Sequence, residues 1–267
     1  MGSIIQSWHN DLLTELNSVG LHYEIFVQAH YSLVLLKEGE VVLNLLNLNN
    51  SKTPEEVLNL PNVYNLEKKQ LIHLWEDVWS TRKEQVLSRL KAIAGLNTRI
   101  HARKTEIVSL SQPEANVFLN KNHLQFSVGA RHRYGLVVDN GLVAVACFSG
   151  LRKMHNGTAG YRSAELIRFA NLHGITVIGG FTKLLSHFIK RHQPNDIMSY
   201  ADRDWSKGSA YERSGFILAG ITPPAIILVN KNTLSRTFAH RMNDSQSEDL
   251  YLKIFNTGNL KYILACE

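Results

Sequence analysis

Hydrophobic positions recur along this chain with two different periods, and the pattern predicts both helices and strands. Helical spacing over residues 4–19 indicates an amphipathic helix that ends near Gly20. Three short apolar runs typical of strands follow, and Thr53 with Pro54 then begins another helix. A long helix is expected from Ser80 to about Gly95. The first third of the chain therefore reads as a mixture of strands and helices.

The clearest alternation lies in residues 164–216, which predict one strand–helix–strand–helix unit. We expect strands over residues 164–169 and 196–200, a helix over residues 181–191 opened by a Gly-Gly pair, and a short helix over residues 206–214. Upstream, a strand at residues 104–110 and a helix capped by Ser111 precede a hairpin whose turn is Asp139-Asn140-Gly141. At the end of the chain, residues 251–255 and 261–264 suggest a final hairpin.

Length and composition limit the class of protein. A chain of 267 residues with 44% hydrophobic content can form two domains with real cores. A short basic connector follows residue 96, so we expect domains at 1–96 and 97–267. No apolar run is long enough for a membrane span and no signal-peptide pattern appears, which favours a soluble cytoplasmic protein without a membrane partner. Two cysteines predict neither a disulfide scaffold nor a zinc site.

Charge adds a candidate partner. The formal net charge is +6, with a sequence pI of about 9.3, and this is modest evidence for a polyanion. Cations crowd residues 68–104, whereas the first sixty residues carry few of them. We therefore predict DNA as the partner, with Arg82, Lys83 and Arg89 of the long helix contacting phosphates.

The segment LIHLWEDVWSTRKEQVLSRLKAIAGL, residues 71–96, resembles the closing part of the very-short-patch-repair-type endonuclease domain of phage homing endonucleases. Such domains are similar to PD-(D/E)XK nucleases, whose strand carboxylates hold magnesium. The family pattern has an aspartate where this chain has Glu24, and a Trp-His sequence where it has LLNLNN. The resemblance therefore implies a smaller, degenerate nuclease-like α/β domain over residues 1–96 that contacts DNA, with no metal expected. The alternative is a homing-type endonuclease with an atypical metal site at Glu24, Glu38 or Glu40.

The element order of the second half resembles the GNAT acyltransferases. That family takes up the cofactor pyrophosphate at a helix amino terminus, which implies a cofactor site here at Gly179, Gly180, Phe181, Thr182 and Lys183, with Ser206 at the start of the last helix. The sequence YERSGF at residues 211–216 matches a family motif whose tyrosine protonates the departing coenzyme A thiolate. The resemblance implies acetyl-CoA or another activated acyl donor, and Tyr211 as the general acid. The usual Arg/Gln-x-x-Gly-x-Gly/Ala loop is absent at residues 173–180.

A string of further motifs resembles the carboxyl-terminal half of phage homing-endonuclease-like proteins, itself similar to the GNAT-like phage DNA-modification protein Mom. These motifs are ARKTEI at Ala102, FLNKNHLQ at Phe118, LIRFAN at Leu166, VIGGFTKLLSHFI at Val177, SYADRDWSKGSAYERSGF at Ser199 and IFNTGNLKYIL at Ile254. The resemblance implies a GNAT-like mixed sheet with flanking helices, overall class α/β (α+β). It also implies a transferase that moves a small acyl or aminoacyl group to a DNA base.

Remaining candidate residues follow from their places along the chain. Asp202 and Arg203 come just after a strand, where open α/β sheets place functional groups, so Asp202 could accept a proton and Arg203 hold phosphate. A purely structural Asp–Arg pair is the alternative. The other candidates are aromatic or polar residues that could stack on or read a base, and each could instead simply pack: Tyr200, Trp205, His123, Gln125 and Arg168. The third function class left open is a non-catalytic DNA-binding protein.

Overall fold

The computed structural model describes residues 7–28, 31–154, 160–242 and 248–266. The chain forms two compact units, each assembled from three segments. The first unit comprises Met1–Leu87, Ala201–Gly208 and Ile221–Leu260, and the second comprises Ser88–Tyr200, Ser209–Gly220 and Lys261–Glu267. From the sequence we expected two continuous domains, at 1–96 and 97–267. That division into domains stays a prediction.

Helices and strands alternate along the described chain. In chain order they are α1 Ser7–Ser18, β1 Tyr23–Gln28, β2 Tyr31–Leu36, β3 Val41–Leu46, α2 Pro54–Val63, β4 Gln70–Trp75, α3 Glu76–Ala94, β5 Thr98–His101, β6 Glu106–Ser109, α4 Gln112–Asn122, β7 His132–Val138, β8 Gly141–Phe148, β9 Arg152–Lys153, β10 Arg162–Asn171, β11 Ile175–Ile178, α5 Gly180–His192, β12 Asp196–Asp202, α6 Ser209–Glu212, β13 Ile217–Ile221, β14 Ile226–Asn230, β15 Arg236–Phe238, β16 Tyr251–Phe255 and β17 Asn259–Ala265. The predicted α/β class is confirmed. No helix among the described residues is long and apolar enough to cross a membrane.

The first unit contains two small sheets. One has the order β1-β2-β3-β4, with antiparallel pairs up to β3 and a parallel pair between β3 and β4. The other has the order β15-β14-β16. Trp75, at the end of β4, lies in a buried apolar cluster with residues of β3, β14 and β16, and its ring meets Phe255 edge-on at 5.3 Å. Burying such large aromatic surfaces stabilises a core strongly.

The second unit is organised by a large mixed sheet. Its strand order is β13-β17-β12-β10-β8-β7-β6, with β9 added at the start of β10. A separate parallel pair joins β11 to β5. The turn between β7 and β8 has left-handed backbone at Asp139 and Asn140 (φ 48° and 61°), as a two-residue hairpin turn requires, which confirms the predicted hairpin. α4 begins with the predicted cap, because Ser111 and Glu114 bond reciprocally.

Two expectations about this unit were wrong in detail. The last helix begins at Ser209, and Ser206 Oγ instead accepts a hydrogen bond from Gly208 N at 3.0 Å, so Ser206 is a turn residue and not a helix cap. The terminal hairpin does not form, because β16 pairs with β14 while β17 lies beside β12 in the larger sheet. Local turn chemistry does not decide which sheet a strand joins.

Candidate active site

The parallel strands β10 and β12 of the second unit pair over only part of their length. β10 and β12 pair only between residues 163–165 and 196–198, although β10 continues to Asn171 and β12 to Asp202. The strands therefore separate from Leu166 and Ser199 onward, and we call this unpaired stretch the gap. Ligands of open α/β sheets bind outside the carboxyl ends of such strands.

A serine hydroxyl and a phenol meet at the point of divergence. Ser199 Oγ donates to Leu166 O at 2.8 Å and lies 3.0 Å from Tyr211 Oη. Ser199 is buried, and Tyr211 sits on α6 with its ring stacked on Tyr262 at 5.2 Å. The phenol is thus fixed by packing on one side and by a buried hydroxyl on the other.

The surroundings of Tyr211 keep its proton in place. Burial raises the pKa of the phenol above its ordinary value, while the hydrogen bond with Ser199 and the charges of Arg89 and Arg168 oppose that shift. Phe181, from the first turn of α5, meets the Tyr211 ring edge-on at 5.7 Å. At neutral pH the group is a neutral phenol that can donate a proton to a more basic atom.

A β-bulge lies beside the gap. Leu166 pairs with Phe148 and Arg168 pairs with Cys147, so Ile167 has no partner on β8. A bulge of this kind bends the strand and redirects its side chains. The bulge lies at the place where β12 no longer pairs with β10.

The bulge brings together three residues that the sequence had suggested as substrate contacts. Arg168 donates from Nη1 to Ile167 O at 2.8 Å and from Nε to Gln125 O at 3.2 Å. His123, the carboxyl cap of α4, accepts at Nδ1 from Gln125 N at 3.0 Å. Arg168 therefore ties the corner after α4 to the bulge, and its backbone bonds give it a positioning role.

Cys147 is the thiol nearest the bulge. Its side chain is fully buried, and burial raises the pKa of the thiol to about 11. A thiol that stays protonated is a poor nucleophile. Cys147 is therefore a poor candidate for a nucleophile.

The start of α5 offers backbone donors. Gly179 caps the helix in the left-handed conformation (φ 76°), and no side chain bonds to the first amides. Gly180 is needed for close packing, because a Cβ there would lie 2.9 Å from Val177 side-chain atoms and 3.1 Å from Leu136 Cδ1. The first N–H groups of a helix have no intrahelical acceptor and attract phosphate. Thr182 is exposed in this turn.

The Lys183 ammonium, which we expected at the cofactor site, bonds to protein oxygens. Its ammonium donates to Ala102 O at 2.9 Å, to Thr105 O, and to Thr105 Oγ1 at 3.3 Å. These contacts fix the 3-10 turn Ala102–Lys104 next to the start of α5. Arg103 and Lys104 on that turn are exposed. They are the cations that the sequence reasoning missed at this position, although the motif ARKTEI contains both.

Other predicted contacts lie in the first unit and carry structural bonds. Asp202 Oδ1 accepts from Asp204 N at 3.0 Å, and Arg203 Nη1 donates to Thr257 O at 3.1 Å. Trp205 is buried, whereas Tyr200, in the second unit, is exposed. These bonds stabilise the turn after β12. The catalytic role of Asp202 and the nucleic-acid contacts of the other three residues stay predictions.

The expected basic face of α3 is only partly exposed. Arg82 is 6% exposed, and burial lowers the pKa of its guanidinium to about 10. Lys83 forms ion pairs with Asp11 at 2.6 Å and Glu15 at 3.7 Å. These two residues therefore do not present free cations to solvent, and their predicted DNA contacts gain no support from their surroundings.

The first unit also contains a buried polar group that the sequence did not reveal. Asp77, almost fully buried, accepts two hydrogen bonds from Arg236, at 2.5 and 2.8 Å. Asp204 Oδ1 accepts from Thr257 N and Oγ1, and His73 Nδ1 lies 3.1 Å from Asn44 Nδ2. Residues this far apart along the chain give no local signal. The group fixes the interior of the unit.

The atypical metal site was proposed for Glu24, Glu38 and Glu40. All three are exposed, and Glu40 pairs with Lys37 at 2.6 Å. Within the ranges the structure describes, no group of three or more His, Cys, Asp and Glu side chains is arranged to hold a metal ion.

No protein-family model matches the chain, and no curated protein matches it. Solved structures of acetyltransferases are similar to part of it. One from Corynebacterium glutamicum, titled histone acetyltransferase HPA2 and related acetyltransferase, has 13% identity, a TM-score of 0.39, and covers 61% of this chain and 97% of its own. The ribosomal-protein-S18-alanine N-acetyltransferase of Escherichia coli has 16% identity, a TM-score of 0.38, and coverages of 61% and 94%. A GNAT family acetyltransferase from Elizabethkingia anophelis, solved with acetyl-CoA bound, has 11% identity, a TM-score of 0.36, and coverages of 61% and 98%.

These likenesses concern fold, and the chemistry has to come from the residues of this chain. The predicted order of strand, helix, hairpin and strand–helix–strand–helix is present in β6, α4, β7, β8, β10, α5, β12 and α6. The chain therefore contains the predicted mixed sheet with flanking helices.

Proposed function

We propose that this chain is a group transferase that moves a small acyl group from an acyl-CoA-type thioester to an amino group of a DNA base. The observation that carries the proposal is the divergence of β10 and β12 with Tyr211 Oη held at the gap by Ser199. A neutral, fixed phenol beside an opening between strands is suited to protonate a leaving thiolate.

The residues at the start of α5 fit a donor that carries phosphates. The amides of the first turn have no side-chain cap, and Arg103 and Lys104 are exposed on the adjacent turn that Lys183 anchors. Backbone N–H groups, the helix dipole and two cations together suit a pyrophosphate. When bound, the donor supplies the activated carbonyl carbon.

The chain's own groups would act around that carbon. As the new carbon–nitrogen bond forms, the carbon–sulfur bond breaks and Tyr211 gives its proton to sulfur. The proton that the amine loses returns to the phenolate through solvent. Acyl transfer is thereby balanced without a metal or a redox partner.

The DNA acceptor is the finer part of the proposal. Its support is the string of motifs similar to those of phage DNA-modification proteins, together with the positive charge of the second unit. A smaller nuclease-like first domain belongs to the same hypothesis.

The experiment compares wild-type protein with Tyr211→Phe. Acetyl-CoA binding is measured by calorimetry, and acetylation of duplex DNA is measured by the mass of its nucleosides after digestion. We expect the wild type to bind acetyl-CoA and add an acetyl mass, and Tyr211→Phe to bind equally but transfer at least about tenfold more slowly. Tyr161→Phe is the matched control, because the Tyr161 hydroxyl donates to Asp196 at the start of β12.

Absence of acetyl-CoA binding and of any added mass would overturn the proposal. DNA binding without acetyl-CoA binding and without an added mass would favour the alternative of a non-catalytic DNA-binding protein. That alternative has two observations behind it, since Phe181 packs against Tyr211 and the Lys183 ammonium is engaged by protein oxygens.

A further inference from the structure

The two units differ in charge by a wide margin. The second unit contains 17 Lys and Arg against 7 Asp and Glu, a net of +10, while the first contains 12 against 16, a net of −4. The net charge of +6 is therefore the sum of a strongly basic unit and an acidic unit. A basic surface is the electrostatic footprint of a polyanion partner.

One end of the large sheet concentrates exposed cations. It is the end where β7 and β10 begin and α5 stops. The exposed residues there are Arg131, Arg152, Lys153, Arg162, Lys190 and Arg191. We call them the basic end. None of the six forms an ion pair with a carboxylate of the described chain.

Contacts across the sheet hold these positions together. Arg131 N donates to Phe148 O at 3.0 Å, and Arg131 Cγ lies 3.7 Å from the position of a Cβ on Gly150. β9 pairs Arg152 with Ser163 and Lys153 with Arg162. Arg162 Nη2 donates to Gln193 O at 3.2 Å, directly after α5.

A histidine pair shows that the charges of two elements converge. The His132 and His192 rings, from β7 and α5, have centroids 3.9 Å apart, and Tyr134 Oη lies 2.7 Å from His192 Nε2. The pKa of His132 is lowered mainly by burial, and further by His192 and by the charges of Arg131, Arg133 and Arg191. A place where cations already repel an added proton is a place that attracts anions.

Few acids oppose this charge. Asp196 accepts a hydrogen bond from Tyr161 Oη at 2.8 Å, and Glu165 lies three positions along β10 from Arg162. Six cations spread over β9, β10, the residue before β7 and the end of α5 form a broad surface, not a pocket for one small anion. A row of phosphates has the matching extent.

We propose that the basic end is the surface that binds the phosphate backbone of duplex DNA. The inference rests on the proposed function for its acceptor, and it replaces the buried Arg82 and the ion-paired Lys83 of α3 as the main DNA contact. Backbone contacts of this kind position DNA without reading its sequence.

The test is fluorescence anisotropy with a labelled duplex of random sequence, at salt concentrations from about 50 to about 200 mM. Two double variants remove cations from different elements: Arg152→Ala/Lys153→Ala and Lys190→Ala/Arg191→Ala. The matched control, Lys68→Ala/Lys121→Ala, removes two exposed cations elsewhere. Each of the two basic-end variants should bind DNA more weakly. The magnitude of the slope of log K against log salt should fall by about 2 in each, because each lost phosphate contact reduces it by about 1. The control should keep the wild-type slope.

The inference would be overturned if DNA affinity fell equally in the control and in the basic-end variants, or if both basic-end variants bound DNA as tightly as the wild type. Binding of phosphatidylserine vesicles that is stronger than DNA binding and depends on the same residues would also overturn it. Circular dichroism confirms that each variant is folded. DNA binding is measured without acetyl-CoA, so failure of the transfer reaction with intact binding that depends on the basic end would remove the proposed function alone.

Discussion

Ser199 Oγ lies 3.0 Å from Tyr211 Oη, at the point where β10 and β12 stop pairing. The serine is the residue of β12 that follows the last paired position, and its hydroxyl also reaches Leu166 O at 2.8 Å on β10. One small side chain therefore connects both edges of the gap to the proposed acid.

Replacing Ser199 with alanine should misplace the Tyr211 phenol. The change leaves Leu166 O and the phenol without this partner and should cost about 1–3 kcal/mol of stability. We expect slower acetyl transfer with the KM for acetyl-CoA nearly unchanged, because Ser199 lies where β10 and β12 diverge, whereas the proposed phosphate site lies at the start of α5. Steady-state kinetics and thermal denaturation measure the two effects. Ser199→Thr, which keeps the hydroxyl, should restore the rate; equal rates for the alanine variant and the wild type would contradict the positioning role.

Substitution of Lys183 tests whether this residue anchors the turn Ala102–Lys104 or binds phosphate. In Lys183→Met the oxygens of Ala102 and Thr105 lose a charged donor, so we expect a loss of about 1–3 kcal/mol in the free energy of unfolding. Arg103→Ala/Lys104→Ala should leave stability unchanged and weaken CoA binding. Denaturant titration and calorimetry with CoA are the measurements. If CoA affinity falls only in Lys183→Met, the lysine contacts phosphate directly.

Arg236 and Asp77 should be strongly coupled. Asp77 is 1% exposed and receives two bonds from the guanidinium, so Arg236→Met leaves a buried carboxylate without its counter-ion. We expect a loss of about 3–5 kcal/mol. Asp77→Asn in the same background should recover part of it, because the uncompensated charge is gone. Urea unfolding of the single and double variants forms the required cycle. Additive losses would show that the pair is not coupled.

Acid should destabilise the first unit through His73. Burial, with a smaller contribution from the charge of Arg203, lowers the pKa of His73 from 6.5 to about 3. The unfolded chain therefore binds a proton that the folded chain does not between those two values, so stability is full above pH 6.5 and falls as the pH drops towards 3. Urea unfolding at pH 7.5 and at lower pH measures the loss.

His73→Gln is the matched variant for this titration, since glutamine can still accept from Asn44 and does not titrate. Its stability should fall less than that of the wild type between pH 6.5 and pH 4. The histidines of the basic end titrate in both proteins and cancel in the comparison. Parallel curves for the two proteins would exclude His73 as the source.

Local chemistry predicted the local elements well. The helix caps at Thr53 and Ser111 form as expected, because a cap needs only a side-chain oxygen and an amide three residues later. The hairpin at Asp139-Asn140 forms because left-handed backbone there sets the turn. The helix beginning near Gly179-Gly180 follows from its apolar spacing.

The site was predictable only in part. Tyr211 could be named from its motif, but the serine that holds it could not, because Ser199 and Tyr211 meet through the divergence of two strands. Lys183 was expected to bind a phosphate, and its ammonium bonds instead to oxygens of Ala102 and Thr105, which are far away in sequence.

The sequence by itself determined most of the segments that become helices and strands, and that the chain carries a net charge of +6. Only the tertiary structure decided that β17 leaves its neighbour β16 to join the larger sheet, and that one unit holds a net of +10 while the other is acidic. The physical reason is that capping, turn formation and helical periodicity depend on residues a few positions apart. Strand pairing and the gathering of charge depend on contacts between distant segments, for which the linear pattern contains no rule.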